Sequence, residues 1–485
     1  MSTQADKYNS AKTWQVGCFM LNNGATQLYG YGMGFISYYA AGIAGLLVVV
    51  VSSIITSMRV FDGITDPIIG YIVDKTNTKF GRFRPFMILG NLIMAISMLI
   101  IFNTTHLVPQ SFRLIYFTLV YCVYIIGFTF QTTITKAGQN VLTNNPKQRP
   151  LSIIFNGLNI LFIYNVLQMV ISSYLVPYFG DFTMGFFRVM PLIIIGISGV
   201  FTFFACLAIK DKDNEQYYEI QENVEQLRFR DYWPIFKQNR ALRLLIYSAA
   251  TDKLGVFTMK NSITYVMLFG IVFGNYALSG SMGLITAIPS FIIGCLGSRL
   301  AQKVGNKKAL VSVTWISLIT ATSFIGLVLF GDVTSISLEA INLSTILFLV
   351  LFTLIMGLSN TSDGIVITMV ADCADYQYYI SGKFIPGMIS CIFSFIDKVF
   401  SSLSNTIIGF CLAMIGFKDA FPTVNTPLTN ELLFLTVFFF VGIPIIGWII
   451  SLIAMKFYPL DEEMMEQVRA KVTEAQLNKD GDLTA

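Results

Sequence analysis

Charged residues are scarce in this sequence. Of its 485 residues, 12% are charged and 54% are hydrophobic, whereas soluble domains carry about 25% charged residues. This composition excludes an ordinary soluble fold. Apolar stretches close to the roughly 20 residues that cross a bilayer recur along the whole chain. The composition therefore predicts an all-α membrane protein.

Histidine is also scarce, and cysteines in paired spacing are missing. The chain has one histidine, His106, and its seven cysteines stand singly, without metal-ligand or disulfide spacing. No nucleophile with a neighbouring base and no metal cluster can be recognised. We therefore expect no catalytic residues, no enzymatic activity and no metal beyond a possible Na⁺.

Signals for secretion and for nucleic-acid binding are absent as well. The first residues, MSTQADKYNSAKTW, lack the apolar core and cleavage site of a signal peptide. The net charge of +4 is not gathered into a basic patch with interleaved aromatic residues. The expected partners are the lipid bilayer and a small molecule, not a nucleic acid.

Hydropathy predicts twelve helical segments in two halves. They cover about residues 14–42, 44–73, 86–103, 112–141, 151–176, 186–209, 241–271, 277–300, 308–330, 342–371, 384–416 and 430–456. The polar stretch KDKDNEQYYEIQENVEQLRFRDYWPIFKQNR separates the sixth segment from the seventh, and its second part reads as an interfacial helix. The expected units are therefore a first six-helix half (1–210), a cytoplasmic middle loop with that helix (211–240), a second six-helix half (241–456) and a cytoplasmic tail (457–485).

Basic residues alternate between the loops. They cluster after predicted helices 2, 4, 8 and 10 and before helix 7, so the positive-inside rule predicts cytoplasmic termini in a multi-pass protein of the plasma or inner membrane. The turn GYIVDKTNTKFGRFRP after helix 2 has a weak echo in GSRLAQKVGNKKAL after helix 8. Together with the six-plus-six division, this echo indicates the major facilitator layout. We expect a monomer.

Predicted helix 2 carries charges deep in the membrane. Asp62 and Asp66 lie on one helix face, and Arg59 precedes them on that face. Asp66 is about 12 Å, and Asp62 about 18 Å, from Asp74 at the polar end. An ionised carboxylate at that depth costs several kcal/mol unless it is paired, solvated or bound to a cation. Either a Na⁺ ion between the two acids or a proton on one of them would satisfy the pair, and so would structural salt bridges.

Further charged residues lie within other predicted helices. Lys136 is in helix 4, Lys260 in helix 7, Asp363 in helix 10, and Asp397 with Lys398 in helix 11. Mutual neutralisation is one explanation, and it applies best to the neighbours Asp252 and Lys253 near the cytoplasmic end. The alternative is a polar cavity that receives a substrate.

Two motifs resemble those of the glycoside–pentoside–hexuronide:cation symporter family of sugar carriers. FDGITDPIIGYIVDKTNTKFGRFRP matches the family pattern D-x-x-x-D-P-x-x-G followed by G-[KR]-[FWY]-[KR]-P, and VADCADYQYYISGKF (370–384) matches its segment after helix 10. A third stretch, LTNNPKQR (142–149), resembles the loop after helix 4. The resemblance covers both halves in order and implies cation-coupled sugar transport by alternating access.

The resemblance assigns roles to individual residues. It implies that Asp62 and Asp66, with Thr129, bind the coupling cation, Na⁺ or H⁺, and that Lys398 neutralises the two acids when the site is empty. Thr132, included in the cation site, and Thr26 stand where members that bind galactosides have acids, and Lys136 replaces a stacking tryptophan. Galactoside specificity therefore does not carry over.

The substrate is expected to be a sugar or sugar derivative. Two acids replaced by threonines and an added lysine make the cavity more positive, which favours an anionic sugar such as a glucuronide or another hexuronide. A neutral oligosaccharide or glycoside is the alternative if Asp363 or Asp397 neutralises Lys136. A lipid or lysolipid carrier on the same fold is an alternative of another class. The predicted substrate site comprises Thr26, Lys136, Lys260, Asp363, Ser394, Asp397 and Lys398.

The basic turn after helix 2 is expected to act in gating. The residues expected to pair charges or gate are Asp74, Arg82 and Arg84 of this turn, together with Arg59 earlier in helix 2. We expect this turn to hold the two halves together on the cytoplasmic side, in addition to fixing the topology through its positive charge. No cofactor is expected apart from the coupling ion.

Overall fold

The computed structural model describes residues 10–76, 78–143, 148–214, 232–382 and 385–471, and almost all of them are helical. The helices are α1 (Thr13–Met33), α2 (Ile36–Gly42), α3 (Val48–Lys75), α4 (Arg84–Thr104), α5 (Gln110–Leu142), α6 (Arg149–Met169), α7 (Val176–Phe179), α8 (Met184–Ile209), α9 (Tyr232–Gln238), α10 (Arg240–Met259), α11 (Ser262–Tyr265), α12 (Ala277–Val304), α13 (Asn306–Phe330), α14 (Leu343–Ser381), α15 (Pro386–Met414), α16 (Asn430–Val437) and α17 (Ile443–Lys456). Residues 462–471 of the tail are also helical.

Short π-helical stretches connect some of these helices. They join α6 to α7 (Val170–Leu175), extend α11 (Val266–Val272) and join α16 to α17 (Phe438–Gly442). In the described part of the chain, ten helical stretches are long and apolar enough to cross a membrane, and the pair α10–α11, bent by 48°, makes up to eleven. The protein is therefore an all-α, multi-pass membrane protein, although the spans do not reach the expected twelve.

Two of the expected segments are broken. In the predicted segment 14–42, the first helix ends at Met33 and a second one begins at Ile36. The predicted segment 241–271 bends between α10 and α11. The ten apolar spans do not include α1. Its polar residues Asn22 and Thr26 are buried, because α1 packs against α4, α5, α6 and α8 and is surrounded by protein instead of lipid.

The helices form two groups. In the first group α1 packs on α5, α6 and α8, and α4 packs on α5 and α8; in the second, α10 packs on α14, α15 and α17, and α14 packs on α12 and α13. Two helix pairs join the groups, α3 with α15 and α6 with α12. We call the end with Lys75, which begins the basic turn, the basic end of the bundle, and the other the opposite end.

The groups are in contact mainly at the opposite end. Thr56 on α3 donates a hydrogen bond to the carbonyl of Ser402 on α15 (2.8 Å), and the backbone N–H of Val48 donates to the carbonyl of Lys418 (2.9 Å). One hydrophobic cluster contains residues of both groups there, and its buried members run from Leu28 to Trp448. Towards the basic end each group has its own cluster. The bundle is thus closed at the opposite end and divided at the basic end.

The basic turn is fixed within the first group. The carboxylate of Asp213, after α8, accepts hydrogen bonds from the backbone N–H groups of Arg82, Phe83 and Arg84 (2.9, 3.1 and 3.0 Å) and from Nε of Arg84 (3.2 Å). Gly81 has a φ of +93°, and a Cβ there would collide with Asp213. The start of α4 therefore binds a carboxylate as helix N-termini do.

The partner of Arg84 differs from our expectation. We expected the turn to join the two halves, whereas Arg84 pairs with Asp213 of its own group. The reason is that the end of α8 lies beside the start of α4. The carboxylate of Asp213 there meets backbone N–H groups that have no partner within their own helix. The side chain of Asp74 lies outside the described part of the structure.

Candidate functional site

One lysine of the second group meets two acids of the first. Nζ of Lys398 on α15 donates a hydrogen bond to Oδ2 of Asp66 on α3 (2.6 Å). It also lies 2.9 Å from Oδ2 of Asp62, at an angle that does not make a hydrogen bond. The side chain of Asp62 is 1% exposed and that of Asp66 34%. Two carboxylates share one ammonium, so this contact between the groups carries a formal charge of −1.

Threonine hydroxyls complete the surroundings of Asp62. Oγ1 of Thr129 on α5 donates to Oδ1 of Asp62 (3.0 Å), and it lies 3.1 Å from Oγ1 of Thr65. The hydroxyl of Thr132 donates instead to the carbonyl of Thr129 (3.2 Å), one turn away along α5. Thr129 therefore belongs to the acid site, Thr65 joins it, and Thr132 makes no hydrogen bond to the acids in the described structure.

The chain around the acids lets α15 approach. Gly63 has no side chain, and a Cβ there would lie 3.2 Å from the ring of Phe395. Pro67 lies inside α3 and donates no backbone hydrogen bond, which leaves the carbonyl of Gly63 without its usual helical donor. Asp66 stands between these two residues. The local sequence thus brings Lys398 within reach of both carboxylates.

Arg59 does not pair with the acids. Its guanidinium lies over the ring of Phe128, 5.8 Å from the ring centroid, in a cation–π contact. In the described residues, the cation that neutralises Asp62 and Asp66 is Lys398. The sequence placed Arg59 on the right face of the helix but could not show that a lysine more than 330 residues away is closer.

A second charged contact lies wholly within the second group. Nζ of Lys253 on α10 donates to Oδ1 of Asp363 on α14 (2.6 Å). Asp252 instead accepts hydrogen bonds from Ser362 Oγ (2.5 Å) and from Trp448 Nε1 on α17 (2.8 Å). Asp252 and Lys253, for which mutual neutralisation was one open explanation, therefore do not pair with each other in this structure, because neighbouring residues of a helix point about 100° apart.

Asp397 and Ser394 precede Lys398 on α15. Asp397 makes no ion pair in the described structure. Oδ1 of Asp397 is buried and has no hydrogen-bond partner there. Ser394 is exposed. Lys260 caps α10 at the bend and is also exposed, without an ion-pair partner among the described residues.

The remaining predicted substrate residues lie on α5 and α1. Lys136 is exposed on α5, and no described carboxylate lies within ion-pair distance of it. Asp363 is bound to Lys253, and neither Asp363 nor Asp397 forms an ion pair with Lys136 among the described residues, so the alternative that one of them neutralises Lys136 finds no ion pair in this structure. The hydroxyl of Thr26 is buried and donates to the carbonyl of Asn22 (3.0 Å).

Ser362, Thr65 and Trp448 were missed by the sequence interpretation. Ser362 on α14 is hydrogen-bonded to Asp252 on α10, and the next residues, Asp363 and Lys253, form the neighbouring contact between the same two helices. The signal available beforehand was weak: a serine directly before an intramembrane acid, opposite an acid directly before a lysine. A tryptophan near the end of an apolar segment gives no such signal.

A family model and several known proteins match this chain. The model described as MFS/sugar transport protein matches residues 16–462. The "Putative glycoside/cation symporter YagG" of Escherichia coli (strain K12) is 24% identical over 469 residues, covering 90% of this chain and 93% of that protein. The "Glucuronide carrier protein homolog" of the same organism is 20% identical over 463 residues, covering 92% of each.

A solved structure shows the same fold. The crystal structure of the nucleoside transporter NupG aligns with a TM-score of 0.61 and 13% identity, covering 92% of this chain and 100% of that one. At this identity the likeness concerns the arrangement of the helices alone.

Proposed function

The chain belongs to the MFS/sugar transport protein family, and on that premise we propose that it couples the entry of Na⁺ or H⁺ to the uptake of a sugar or sugar derivative. The family confirms the resemblance seen in the two motifs and makes the chain a membrane transporter, not an enzyme. We propose that it works as a monomer by alternating access and needs no cofactor besides the coupling ion.

The contact of Lys398 with Asp62 and Asp66 is the observation that carries this proposal. It joins α3 to α15, one of the two pairs of helices that link the two groups. A cation bound between the carboxylates would compete with the ammonium and release the contact. A Na⁺ ion prefers such oxygen ligands, and the hydroxyl of Thr129 supplies another. A proton on Asp66 would weaken the same contact.

Competition of this kind connects ion binding to conformation. A ligand shifts an equilibrium between two states only by the difference in its affinities for them. With Lys398 bound to both acids, the groups are held together at mid-membrane; with a cation in its place, they are free to change their relative position. Substrate and cation then favour each other's binding, and the coupling is reciprocal.

The basic end is proposed to face the cytoplasm. The alternation of lysine and arginine between the loops supports this orientation by the positive-inside rule. With that orientation, the closed opposite end and the separate clusters at the basic end make the structure an inward-facing state. Both termini would then be cytoplasmic, in the plasma or inner membrane.

An anionic sugar is the proposed substrate, with a glucuronide or another hexuronide as the leading class. Lys136 and Lys260 are exposed ammonium groups for which the described residues offer no ion pair, and an anionic group would match them. The relative named as a glucuronide carrier homolog is consistent with this class. Neutral glycosides are the second candidate, favoured by the relative named as a glycoside symporter. A lipid carrier is the alternative of another class.

A binding panel tests the proposal. Purified protein is titrated with matched pairs of a neutral glycoside and its hexuronide, with and without Na⁺, at two pH values. We expect tighter binding of the acids and an increase in affinity with the coupling cation. If no sugar binds and a lysolipid does, the sugar assignment is wrong.

Two variants sharpen the result. Lys136→Gln should weaken binding of hexuronides while leaving the neutral glycosides unchanged, and Lys303→Gln, an exposed lysine near the basic end of α12, is the matched control. Equal losses for charged and uncharged sugars in Lys136→Gln would rule out an anion contact at that lysine.

A further inference from the structure

One face of α12 carries an apolar row that ends in two cations. Six exposed residues follow one another there at intervals of three or four: Ile285, Ile288, Ile292, Leu296, Arg299 and Lys303. Residues at these intervals share one face of a helix. The four apolar side chains are each more than half exposed, and the two cations continue their line toward the basic end. We call these six residues the α12 row.

The α12 row points away from the rest of the protein. Oγ of Ser290 on α12 donates a hydrogen bond to the carbonyl of Thr353 on α14 (3.2 Å). A Cβ on Gly283 would lie 2.9 Å from the side-chain oxygen of Asn165 on α6. The middle of the row lies about 140–180° around the helix from both of these contacts. The row therefore faces lipid, and neither α6 nor α14 covers it.

The two cations lie at the depth of lipid head groups. The 28 residues of α12 make a helix about 42 Å long, about 12 Å more than the hydrocarbon core of a bilayer. Arg299 is about 7.5 Å, and Lys303 about 1.5 Å, from the last residue of the helix. When the excess length is shared between the two ends, Arg299 lies at the edge of the hydrocarbon core and Lys303 among the head groups.

Neither cation has a protein partner in the part of the chain that the structure describes. No hydrogen bond or ion pair there involves the side chain of Arg299 or Lys303. Two acids at this end of the second group are already occupied, because Glu462 pairs with Lys308 (2.9 Å) and Asp372 accepts a hydrogen bond from a side-chain amide (2.7 Å). A guanidinium and an ammonium about 6 Å apart along one helix suit a phosphate group.

We propose that the α12 row binds an anionic glycerophospholipid of the leaflet at the basic end. Its phosphate lies at Arg299 and Lys303, and one acyl chain lies along the four apolar residues. A net negative charge is favoured because the cationic group of a zwitterionic lipid repels the two basic residues. The lipid is a bound partner and not the transported molecule, because the row lies on the outside of the second group. The inference goes beyond the proposed function and does not depend on the substrate.

Native mass spectrometry of the full-length protein tests the inference. Purified protein in detergent is titrated with phosphatidylglycerol or with phosphatidylcholine that carries the same acyl chains. The double variant Arg299→Gln/Lys303→Gln removes both cations of the row. Lys79→Gln/Lys210→Gln is the matched control, because it removes two exposed lysines at the basic end of the first group. Inorganic phosphate is added as a competitor without acyl chains.

We expect the wild type to bind phosphatidylglycerol more tightly than phosphatidylcholine. The double variant should bind phosphatidylglycerol about thirtyfold more weakly, the effect of losing two basic residues beside an anionic lipid. The matched control should keep the affinity of the wild type. Arg299→Lys should lose less than the double variant, since it keeps the charge and loses only the planar guanidinium. Inorganic phosphate should not displace the lipid, because the acyl chain contributes to binding.

Four results would overturn the inference. Equal affinities for the two lipids, or an unchanged affinity in the double variant, would exclude a site for the anionic head group. An equal loss in the matched control would reduce the effect to general attraction between charges. Displacement by inorganic phosphate would assign the cations to a free anion.

The sugar panel separates this inference from the proposed function. Arg299 and Lys303 lie outside the proposed sugar and cation sites, so the double variant should bind sugar as the wild type does. If the wild type binds no sugar of the panel, the proposed function fails and the lipid site is unaffected. If the lipid site fails, the proposed function is unaffected.

Discussion

Two of the ion pairs in the described structure have the same bond length and different positions in the fold. Lys398 to Asp66 and Lys253 to Asp363 are both 2.6 Å. The first joins the two groups through α15 and α3, and the second joins α14 and α10 within one group. With the proposed alternating access, the contact between the groups must break during transport, whereas the contact within one group can persist. Topology therefore separates these ion pairs where distance does not.

Burial separates the two contacts only at Asp62, because Lys398 and Asp66 are 25% and 34% exposed, nearly as much as the residues of the other pair. Asp62 is 1% exposed and depends on Lys398 for its only ion pair in the described structure. Lys253 and Asp363 are 27% and 35% exposed, so solvent shares in their stabilisation. Breaking a buried pair leaves an uncompensated charge and is costly, whereas a partly exposed pair contributes little. The contact that joins the groups is the more sensitive one.

Loss of the most buried acid should have the largest effect. We expect Asp62→Asn to abolish accumulation of sugar against a gradient, because the cation loses its most enclosed ligand, while exchange of sugar across the membrane continues. Uptake into proteoliposomes with an imposed ion gradient measures the first, and exchange of labelled for unlabelled sugar measures the second.

The matched variant is Asp363→Asn, which removes an acid of the other contact. It should keep accumulation, since that acid is not proposed to bind the cation. Full active uptake by Asp62→Asn would reject the assignment of the cation site.

Removal of the bridging lysine tests the competition between ammonium and cation. Lys398→Ala leaves Asp62 buried without its partner, a change that costs about 3 kcal/mol of folding free energy. We expect a lower melting temperature that Na⁺ raises more in the variant than in the wild type, if Na⁺ is the coupling ion. Thermal unfolding of the purified protein, with choline replacing Na⁺ as the control, measures it. Unchanged stability without Na⁺ would argue against the bridge.

Exchange of charges distinguishes a structural pair from a functional one. Lys253→Gln or Asp363→Asn alone should cost about 1 kcal/mol of stability, since the pair is partly exposed. The double exchange Lys253→Asp with Asp363→Lys should restore both stability and transport. The corresponding exchange of Asp66 and Lys398 should not restore transport, because it moves a carboxylate out of the cation site. Recovery of transport in both exchanges would remove the distinction drawn here.

The sequence predicted the membrane class and much of the acid site. Helical spacing placed Asp62 and Asp66 on one face of α3, and the structure brings both to Lys398. The pairing of Lys253 with Asp363 could not be predicted, because it depends on how α10 packs on α14. The hydrogen bonds of Asn23 and Gln27 on α1 to α6 were missed for a related reason. The two α1 residues are regularly spaced, but their partners lie more than 130 residues away on α6.

The smallest expected effect concerns the hydroxyl beside Asp62. Thr129→Val removes the hydrogen bond to Oδ1 of Asp62 with little change in volume. We expect cation affinity to fall about fivefold, the value of one hydrogen bond, with maximal transport unchanged. Thr132→Val is the matched control on the same helix, because its hydroxyl bonds only to the carbonyl of Thr129. Titration of sugar uptake with the coupling cation separates the two variants. Equal affinities would confine the cation site to the carboxylates and Lys398, and would leave Thr129 as a packing contact between α3 and α5.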